Sequence, residues 1–243
     1  MKIPMKIQRA LVTGGAGFIA SHVVDRLRAD GAAVTVFDNL CTGHLSNLAC
    51  HRDTDGFTFI QGDVLDRPAL LAAMEGVDAV FHFQANADVR GGITKTRIDL
   101  EQNVIATWNV LDAARERGIK QFVFASSATV YGEPKVFPTP EDNPLLQTSL
   151  YGASKASCEN MIQAYSEYFG IRSLSFRFVS WIGTRYSHGV VFDFMAKLKA
   201  NPRCLEVLGD GKQQKSYLDV RDGVAGIFCA FNNAVGQKNV YNL

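Results

Sequence analysis

Short, continuously apolar runs alternate with amphipathic segments along this chain, and this alternation constrains its fold more than any other feature of the sequence. The apolar runs lie at residues 10–13, 33–37, 57–61, 79–83, 121–125 and 173–178. Segments with helical spacing of apolar residues lie at 17–30, 68–74, 98–117 and 149–169. Repeated strand–helix–strand units predict parallel strands joined by right-handed crossovers, and unbroken apolar runs predict strands covered on both faces. We therefore predict a doubly wound α/β fold with a parallel sheet.

The pattern changes after residue 178, which indicates a second, smaller unit. The sequence predicts a helix at about 190–200, short strands near Leu205 and Tyr217, a helix near 222–231 and a strand at 240–242. We predict a sheet domain over residues 1–178 and a small lobe over residues 179–243. Ligands of such sheets bind outside the carboxyl ends of the strands, so a lobe at that edge would close over a ligand.

The composition argues against several classes of protein. Of the 243 residues, 47% are hydrophobic and 20% are charged, and the formal net charge is +1, as in an ordinary globular domain. Near-zero charge without a basic tract argues against a nucleic-acid partner, and no window approaches the roughly 18 apolar residues of a membrane span. The segment before Gly14 has no secretory apolar region. The five scattered cysteines form no C-x-x-C pair, so we expect reduced thiols, a cytoplasmic location and no bound metal.

A glycine-rich loop follows the first apolar run and opens the first helical segment. Gly15-x-Gly17-x-x-Ala20 fits the dinucleotide-binding fingerprint, and Gly14-x-x-Gly17-x-x-Ala20 fits its variant spacing. Glycines permit a tight turn and the close approach of a pyrophosphate, and the helix N-terminus supplies free N–H groups. The motif alone is weak, but its position between a strand and a helix indicates a nucleotide cofactor.

Acidic residues end the second and third apolar runs. Asp38 lies about 20 residues after the glycines, where a carboxylate can accept a ribose 2′-hydroxyl and would repel a 2′-phosphate. This position favours NAD over NADP, although an aspartate that only caps a turn is the alternative. Asp63 and Val64 follow the third run and could reach the adenine, but a simple turn explains them nearly as well.

A tyrosine and a lysine one helical turn apart follow the proline-rich stretch 132–150. Tyr151 and Lys155 share one helical face, and we expect the ammonium to lower the pKa of the phenol so that it exchanges a proton near neutral pH. Hydroxyl side chains, among them Ser127, end the fifth apolar run at the edge where a ligand would bind. An exposed helical pair is the alternative interpretation, and the glycine loop upstream weighs against it.

Taken together, these motifs resemble those of the extended short-chain dehydrogenase/reductase family, in its group of NAD-dependent nucleotide-sugar epimerases and dehydratases. The resemblance rests on stretches that occur in the family's order from the first strand to about residue 222. These stretches are TGGAGFIASH, FDNL, GDV, HFQANADVR, NV, SSATVYGEP, NPLLQTSLYGASK, RFVSWIG and GDGKQQKSYLDVRD. The resemblance implies a Rossmann domain that binds NAD over residues 1–178 and a substrate-binding lobe over residues 179–243.

The resemblance also implies roles for individual residues. Tyr151 matches the catalytic base, Lys155 the residue that tunes it and holds the nicotinamide ribose, and Ser127 the serine that hydrogen-bonds the reacting hydroxyl. Tyr151 and Lys155 would also touch the cofactor. The remaining cofactor-binding positions implied are Gly14, Gly17, Phe18, Ile19, Asp38, Asn39, Asp63, Val64, Phe83, Gln84, Ala85 and Asn103. The implied substrate-binding positions are Thr129, Ser180, Arg185, Val190 and Lys215.

The residues after the serine discriminate between reactions within the family. Dehydratases and decarboxylases of the group usually carry an acidic residue there, whereas this chain has Ala128 and Thr129, as in 4-epimerases. The resemblance thus implies epimerisation of a UDP- or GDP-linked sugar at C4 through a transient 4-keto sugar, in nucleotide-sugar metabolism such as polysaccharide biosynthesis. A 4,6-dehydratase, a 4-keto reductase and, at a lower rank, a regulatory NAD-binding protein without catalysis remain alternatives.

Several positions depart from the family pattern. Ser180 stands where relatives often have an asparagine, Lys215 where many have a diphosphate-binding arginine, and Gln84 where a small residue is usual. Relatives also continue for several tens of residues beyond a segment like 240–243, so we expect either that the chain is truncated or that its substrate lobe is minimal.

The resemblance further implies a homodimer through a four-helix bundle formed by segments 98–117 and 149–169. Trp108, Leu111, Met161 and Tyr165 fit such a surface and fit an ordinary core almost as well.

Overall fold

The computed structural model describes residues 7–243, so the beginning of the N-terminal segment considered for a secretory signal, and of the predicted domain 1–178, lies outside the described residues. The strands are β1 (Arg9–Thr13), β2 (Ala33–Asp38), β3 (Phe57–Gln61), β4 (Ala79–His82), β5 (Gln121–Ser127), β6 (Arg172–Phe178), β7 (Ser180–Ile182), β8 (Tyr217–Asp219) and β9 (Lys238–Asn242). The helices are α1 (Phe18–Ala29), α2 (Arg67–Ala73), α3 (Gly91–Thr94), α4 (Ala106–Glu116), α5 (Leu150–Phe169), α6 (Val190–Ala200) and α7 (Val220–Asn233). A wide helical turn, Leu100–Ile105, leads into α4.

Seven of the strands form one parallel sheet in the order β3-β2-β1-β4-β5-β6-β9. The order reverses direction between β1 and β4, which are the two central neighbours with Thr13 beside His82. The longest pairing joins β5 to β6, from Gln121 beside Arg172 to Ser127 beside Phe178. The predicted doubly wound parallel fold is confirmed, and its switch point opens a crevice at the carboxyl ends of the strands.

Apolar side chains cover both faces of the sheet, as the unbroken apolar runs predicted. Leu11 and Val12 are neighbours in β1, yet Leu11 packs with α2 and α4 whereas Val12 packs with α1 and α7. Such alternation is the two-residue period of a strand. Each fully buried leucine, valine or phenylalanine stabilises the fold by about 1.5–3 kcal/mol, so the strand positions are fixed firmly.

Local signals set the ends of the helices that matter for the site. The Ser149 side chain accepts a hydrogen bond from the Gly152 N–H at 3.0 Å and so caps the first turn of α5. Gly170 ends α5 in the left-handed conformation that glycine adopts without strain. Asp66 caps α2 in the same way as Ser149 caps α5, by accepting from the Ala69 N–H at 3.2 Å.

The C-terminal part of the chain differs from the sequence prediction in two respects. The strand expected near Leu205 is not formed in the described chain, where residues 201–216 are exposed except for the half-buried Leu205. The partner of β8 is instead β7, which follows β6 directly. The strand and helix expected in the lobe, β9 and α7, join the main sheet, since β9 pairs with β6 and α7 packs on α1. The division at residue 178 stays a prediction.

Within residues 7–243, no helix combines the length and the apolar character needed to cross a bilayer.

Candidate active site

The sequence-predicted site residues converge on the carboxyl edge of the sheet. Thr13 ends β1, Asp38 ends β2, His82 ends β4 and Ser127 ends β5, and all four strands run in the same direction. The glycine loop leaves this edge after β1. The edge is therefore the place to test for a cofactor and a reacting group.

The glycine loop is shaped by a left-handed residue and by close backbone contact with β4. Gly14 has φ +70, and its N–H donates to the Phe37 carbonyl at 2.9 Å. A Cβ on Gly14 would lie 2.7 Å from the Gln84 nitrogen, which is too close for any side chain. Gly17 then precedes α1, and Phe18 and Ile19 form its first turn, where the N–H groups have no partner inside the helix.

Asp38 closes the loop from the neighbouring strand. Its Oδ2 accepts from the Ala16 N–H at 2.9 Å and its Oδ1 from the Leu40 N–H at 2.8 Å. Burial raises the pKa of this carboxyl, and the two backbone hydrogen bonds counteract that effect. Asp38 thus holds the loop in place and keeps a carboxylate at the end of β2, as the sequence predicted for a ribose-binding position.

The next two predicted cofactor positions lie side by side. The Asn39 amide donates to Asp63 Oδ2 at 3.1 Å, and Asp63 Oδ1 accepts from the Leu65 N–H at 2.9 Å. Val64 is buried, and its carbonyl accepts from the Asn109 amide at 3.1 Å. The turn after β3 is therefore fixed against the end of β2, beside Asp38.

Residues after β4 line the switch point. The Phe83 N–H donates to the Thr13 carbonyl at 3.1 Å, and its ring stacks on Phe178 with centroids 6.1 Å apart. The Gln84 amide donates to Gln102 at 3.1 Å, and its buried Oε1 has no hydrogen-bond partner among the residues described. Ala85 follows and is half-buried.

Tyr151 and Lys155 lie on one face of α5 against the end of β5. Lys155 Nζ donates to the Ala125 carbonyl at 2.8 Å and lies 5.9 Å from the centroid of the Tyr151 ring. Burial lowers the pKa of Lys155 to about 8 and raises the pKa of Tyr151 to about 12. The expected lowering of the phenol's pKa is wrong for this structure, because burial raises the pKa, the Asp99 and Cys158 charges raise it further, and only the Ser127 hydrogen bond lowers it.

Ser127 connects the phenol to the loop that follows β5. Its side chain hydrogen-bonds Tyr151, which opposes the rise in the pKa of the phenol. Ser127 Oγ also accepts from the Thr129 N–H at 3.2 Å and from Thr129 Oγ1 at 2.9 Å. The structure therefore brings together the predicted Ser127, Thr129, Tyr151 and Lys155.

Asn103 lies beneath this group in a buried network that the sequence analysis did not reveal. Its side-chain Nδ2 donates to Ser154 Oγ at 2.8 Å and to Asp99 Oδ1 at 3.1 Å. Its side-chain Oδ1 accepts from the Asn86 N–H at 2.8 Å. Ser154 in turn donates to the Tyr151 carbonyl at 2.7 Å. The only sequence signal for Asp99 was a charged residue within a helix that is otherwise packed on the sheet.

A second buried network supports the strand end that carries Ser127. Arg177 Nη2 donates to Glu159 Oε2 at 2.7 Å and Arg177 Nε to Glu159 Oε1 at 3.0 Å, while Ser126 Oγ donates to the same carboxylate. Arg177 Nη1 donates to Tyr131 Oη at 2.7 Å, and Tyr131 donates to Asn242 Oδ1 at 2.7 Å. An arginine within an apolar strand run was the signal in the sequence.

A cavity of about 530 Å³ opens beside Thr129 and the start of α5. It is lined by Val89, Arg90, Gly92, Ile93, Thr129, Gly132, Glu133, Thr148, Ser149 and Leu150. Leu150, which directly precedes Tyr151, lines the cavity, whereas Tyr151 itself does not. Of its lining, the sequence analysis named only Thr129 as a substrate-binding residue, since the wall formed by α3 has no distinctive motif.

The other predicted substrate residues lie away from this cavity. Ser180 begins β7 and is half-buried, while Val190 begins α6 and is exposed. Arg185 forms an ion pair with Asp25 of α1 at 2.8 Å, so the loop after β7 packs on the helix that follows the glycine loop. Lys215 is exposed in the segment before β8.

The residues present fit a bound dinucleotide. A Cβ would clash at Gly14, the first turn of α1 offers unpaired N–H groups, and Asp38 presents a carboxylate beside them. This combination matches the physical requirements for a pyrophosphate next to a ribose.

Comparison with known proteins agrees with this geometry. The profile of the NAD dependent epimerase/dehydratase family matches residues 10–243. A UDP-glucose 4-epimerase of Mycolicibacterium smegmatis is 34% identical over 242 residues, which cover 97% of this chain and 76% of that protein.

Solved structures give the same result. A crystal structure of a UDP-galactose 4-epimerase superposes with a TM-score of 0.86 at 41% identity, over 97% of this chain and 77% of that one. The UDP-glucose 4-epimerase of Thermus thermophilus in complex with NAD superposes with a TM-score of 0.83 at 31% identity, again over 97% and 77%.

Proposed function

This chain belongs to the NAD dependent epimerase/dehydratase family, and we propose that it epimerises the sugar of a UDP-sugar at C4, with NAD as its cofactor. The observation that carries the proposal is the position of Ser127, Tyr151 and Lys155 at the sheet edge from which the glycine loop also leaves. The names of the relatives support UDP as the nucleotide and C4 as the reacting carbon.

In this proposal, separate groups of residues bind the cofactor and transfer the proton. The glycine loop and Asp38 hold the dinucleotide, and the turn at Asp63 and Val64 borders its adenosine end. When bound, NAD supplies a reversible oxidant for the carbon that carries the C4 hydroxyl. Tyr151 takes the proton from that hydroxyl and later returns it, as a general base and acid.

Ser127 and Lys155 support the phenol in this role. Ser127 hydrogen-bonds the Tyr151 side chain before the reaction, and this bond stabilises the ionised form of the phenol. Lys155 presents an amine beneath the phenol, held by the Ala125 carbonyl. Because the pKa of Tyr151 is about 12, the phenol is protonated before ligands bind, and it has to release its own proton to solvent before it can take the proton of the sugar hydroxyl.

The residues around Ser127 favour epimerisation over dehydration. Dehydration requires a group that removes a second proton next to the keto carbon, and neither Ala128 nor Thr129 carries a carboxylate. Glu133, on the cavity wall, is the acidic residue that would have to act in a dehydratase. Identification of the product distinguishes the two reactions.

Mass spectrometry of molecules that co-purify with the chain, followed by turnover assays, tests the proposal. The assays would use UDP-glucose, UDP-galactose, UDP-N-acetylglucosamine and UDP-glucuronic acid, with matched GDP- and dTDP-sugars as controls. We expect bound NAD and interconversion of one C4 epimer pair without net consumption of the cofactor. A 4-keto-6-deoxy product, net oxidation of a reduced cofactor, or NAD binding without turnover of any sugar would overturn it.

We further propose that the lobe around β7, α6 and β8 contacts the nucleotide of the substrate. The loop of Arg185 packs on α1 through Asp25, and the Tyr186 ring contacts Phe18, directly after the glycine loop, with ring centroids 5.4 Å apart. The same part of the chain contains Ser180, Val190 and Lys215. Thr129 lines the cavity at the start of α5, which we propose receives the sugar.

A homodimer through α4 and α5 is part of the proposal. Trp108 is 42% exposed on α4, and Tyr168 and Phe169 are exposed at the end of α5, so an apolar surface is available. Leu111 does not contribute to it, because that side chain is fully buried in the core.

The five free cysteines support a reducing, cytoplasmic location.

A further inference from the structure

Asp99 is a buried carboxylate that none of the steps above uses. Its side chain is 2% exposed and lies in the segment that leads into α4. Oδ1 accepts from the Asn86 amide at 2.8 Å and from the Asn103 amide at 3.1 Å. Oδ2 has no hydrogen-bond partner within the described part of the chain, and no basic side chain there forms an ion pair with Asp99. An unpaired buried carboxylate oxygen is costly, so a role in the site is its most direct explanation.

The unpaired oxygen lies directly behind the wall of the cavity beside Thr129 and the start of α5. A Cβ on Gly92 would lie 2.8 Å from Asp99 Oδ2 and 3.2 Å from the Cβ of Leu150. Gly92 and Leu150 both line the cavity, and Leu150 precedes Tyr151. Asp99 is thus separated from the cavity by a single layer of residues.

The paired oxygen of Asp99 holds the support of Tyr151. Asp99 Oδ1 orients the Asn103 amide, which donates to Ser154 Oγ at 2.8 Å, and Ser154 donates to the Tyr151 carbonyl at 2.7 Å. Three hydrogen bonds therefore connect the carboxylate to the backbone of the residue that moves the proton. This connection crosses from the α4 segment to α5.

Charged and titratable groups surround the Tyr151–Lys155 pair on every side. On α5 these are Cys158 and Glu159, of which Glu159 is neutralised by Arg177 of β6. From β5 comes the Ser127 hydroxyl, and from β4 comes His82, whose pKa burial lowers to about 3. Burial is the largest cause of each shift. For Tyr151 the Ser127 hydrogen bond follows, which lowers the pKa, and then the Asp99 charge, which raises it. For Lys155 the Cys158 and Glu159 charges precede Asp99, and all three raise the pKa.

We infer that Asp99 is a positioning residue for the reaction: Oδ1 fixes the Asn103 amide beneath α5, and the carboxylate holds a negative charge one layer behind the cavity wall. The inference rests on the proposed function, in which Tyr151 transfers the proton of the sugar hydroxyl. Asp99 acts through Asn103 and through its electric field, without touching the substrate.

The isosteric change Asp99→Asn separates the two roles. An asparagine retains an oxygen acceptor for Asn86 and Asn103 and removes only the charge. We expect Asp99→Asn to remain folded and active, with the midpoint of its activity–pH profile shifted to lower pH. Asp99→Ala removes the acceptor as well and should lower kcat further while leaving KM nearly unchanged. Glu101→Gln, an exposed carboxylate of the same segment, is the matched control and should not move the profile.

A second measurement does not depend on turnover. Titration of tyrosinate absorbance, as the difference between each protein and its Tyr151→Phe counterpart, reports the ionisation of Tyr151 alone. We expect the midpoint to fall in Asp99→Asn and to stay in Glu101→Gln. An unchanged midpoint in Asp99→Asn would overturn the inference even if the enzyme is an epimerase. A lowered midpoint in a protein that turns over no UDP-sugar would leave the inference in place and remove the proposed function.

Discussion

The guanidinium of Arg177 and the carboxylate of Glu159 form a two-pronged ion pair in the interior, with Arg177 Nη2 and Glu159 Oε2 2.7 Å apart. Glu159 follows Lys155 by one helical turn and also receives a hydrogen bond from Ser126, the neighbour of Ser127. The pair therefore joins the helix that carries the phenol and the amine to the strand end that carries the serine. Both partners are almost fully buried, so water cannot replace either of them.

Glu159→Gln should destabilise the fold strongly, because it leaves the Arg177 charge without a buried counter-charge. Removing one partner of a buried ion pair costs roughly 3–5 kcal/mol. Urea unfolding followed by circular dichroism measures the loss. Glu167→Gln breaks the exposed pair with Lys238 and should change the free energy of unfolding by about 0–1 kcal/mol. Equal effects of the two substitutions would contradict the importance assigned to the interior pair.

Tyr151→Phe should abolish most turnover, since the phenol is the group proposed to exchange the proton of the sugar hydroxyl. General acid–base catalysis contributes about 10²–10⁴-fold, and a loss of that size is expected in kcat. NAD affinity and thermal unfolding should change little. Tyr168→Phe, at an exposed position on the same helix, is the control. Near-normal turnover by Tyr151→Phe would remove the phenol from the mechanism.

Gly14→Ala should weaken NAD binding, and the loss of affinity should exceed what left-handed backbone strain alone would cause. The new Cβ would meet the Gln84 nitrogen at 2.7 Å, so the loop has to shift away from β4. Gly118 has the same φ of +70, but a Cβ added there would have no heavy atom within 4 Å, so Gly118→Ala measures left-handed strain alone, about 1–2 kcal/mol. Calorimetric titration with NAD compares the two variants. If both bind NAD equally well, the close approach at Gly14 does not shape the cofactor site.

Lys155 should make the free energy of unfolding depend on alkaline pH. Its pKa falls from 10.5 to about 8 on folding, so between these values the unfolded chain binds the extra proton and stability rises with pH, by roughly 3 kcal/mol. Tyr151, with its pKa raised from 10.0 to about 12, acts in the opposite direction above pH 10. Urea unfolding between pH 7 and 10 measures the rise, which should disappear in Lys155→Met and persist in the exposed control Lys238→Met.

The sequence was sufficient to predict strands β1 to β6, because each of them coincides with an apolar run of the sequence. The pairing of β7 with β8 could not be predicted, since strands of three residues such as Ser180–Ile182 depend on tertiary partners. The position of β9 beside β6 required knowledge of contacts across about sixty residues of chain, which local patterns do not contain.

The candidate site divides in a similar way. Tyr151, Lys155 and Ser127 were predictable from spacing, because a helical turn and a strand end place them by local geometry. Asp99 and Glu159 could not be predicted from the sequence, because their roles depend on contacts with residues distant in sequence, such as Asn86 and Arg177. The direction of the Tyr151 pKa shift was also beyond the sequence, since the extent of burial decides it.

The contact between Tyr131 and Asn242 affects which substitutions in the chain would lower activity. Asn242 belongs to the outermost strand of the sheet, yet Arg177 joins Tyr131 to Glu159 and so to Ser126, beside the serine alcohol. A screen for lost catalysis would therefore recover substitutions at this remote rim together with those in the crevice, and distance from the chemistry would be a poor guide to which variants are harmless.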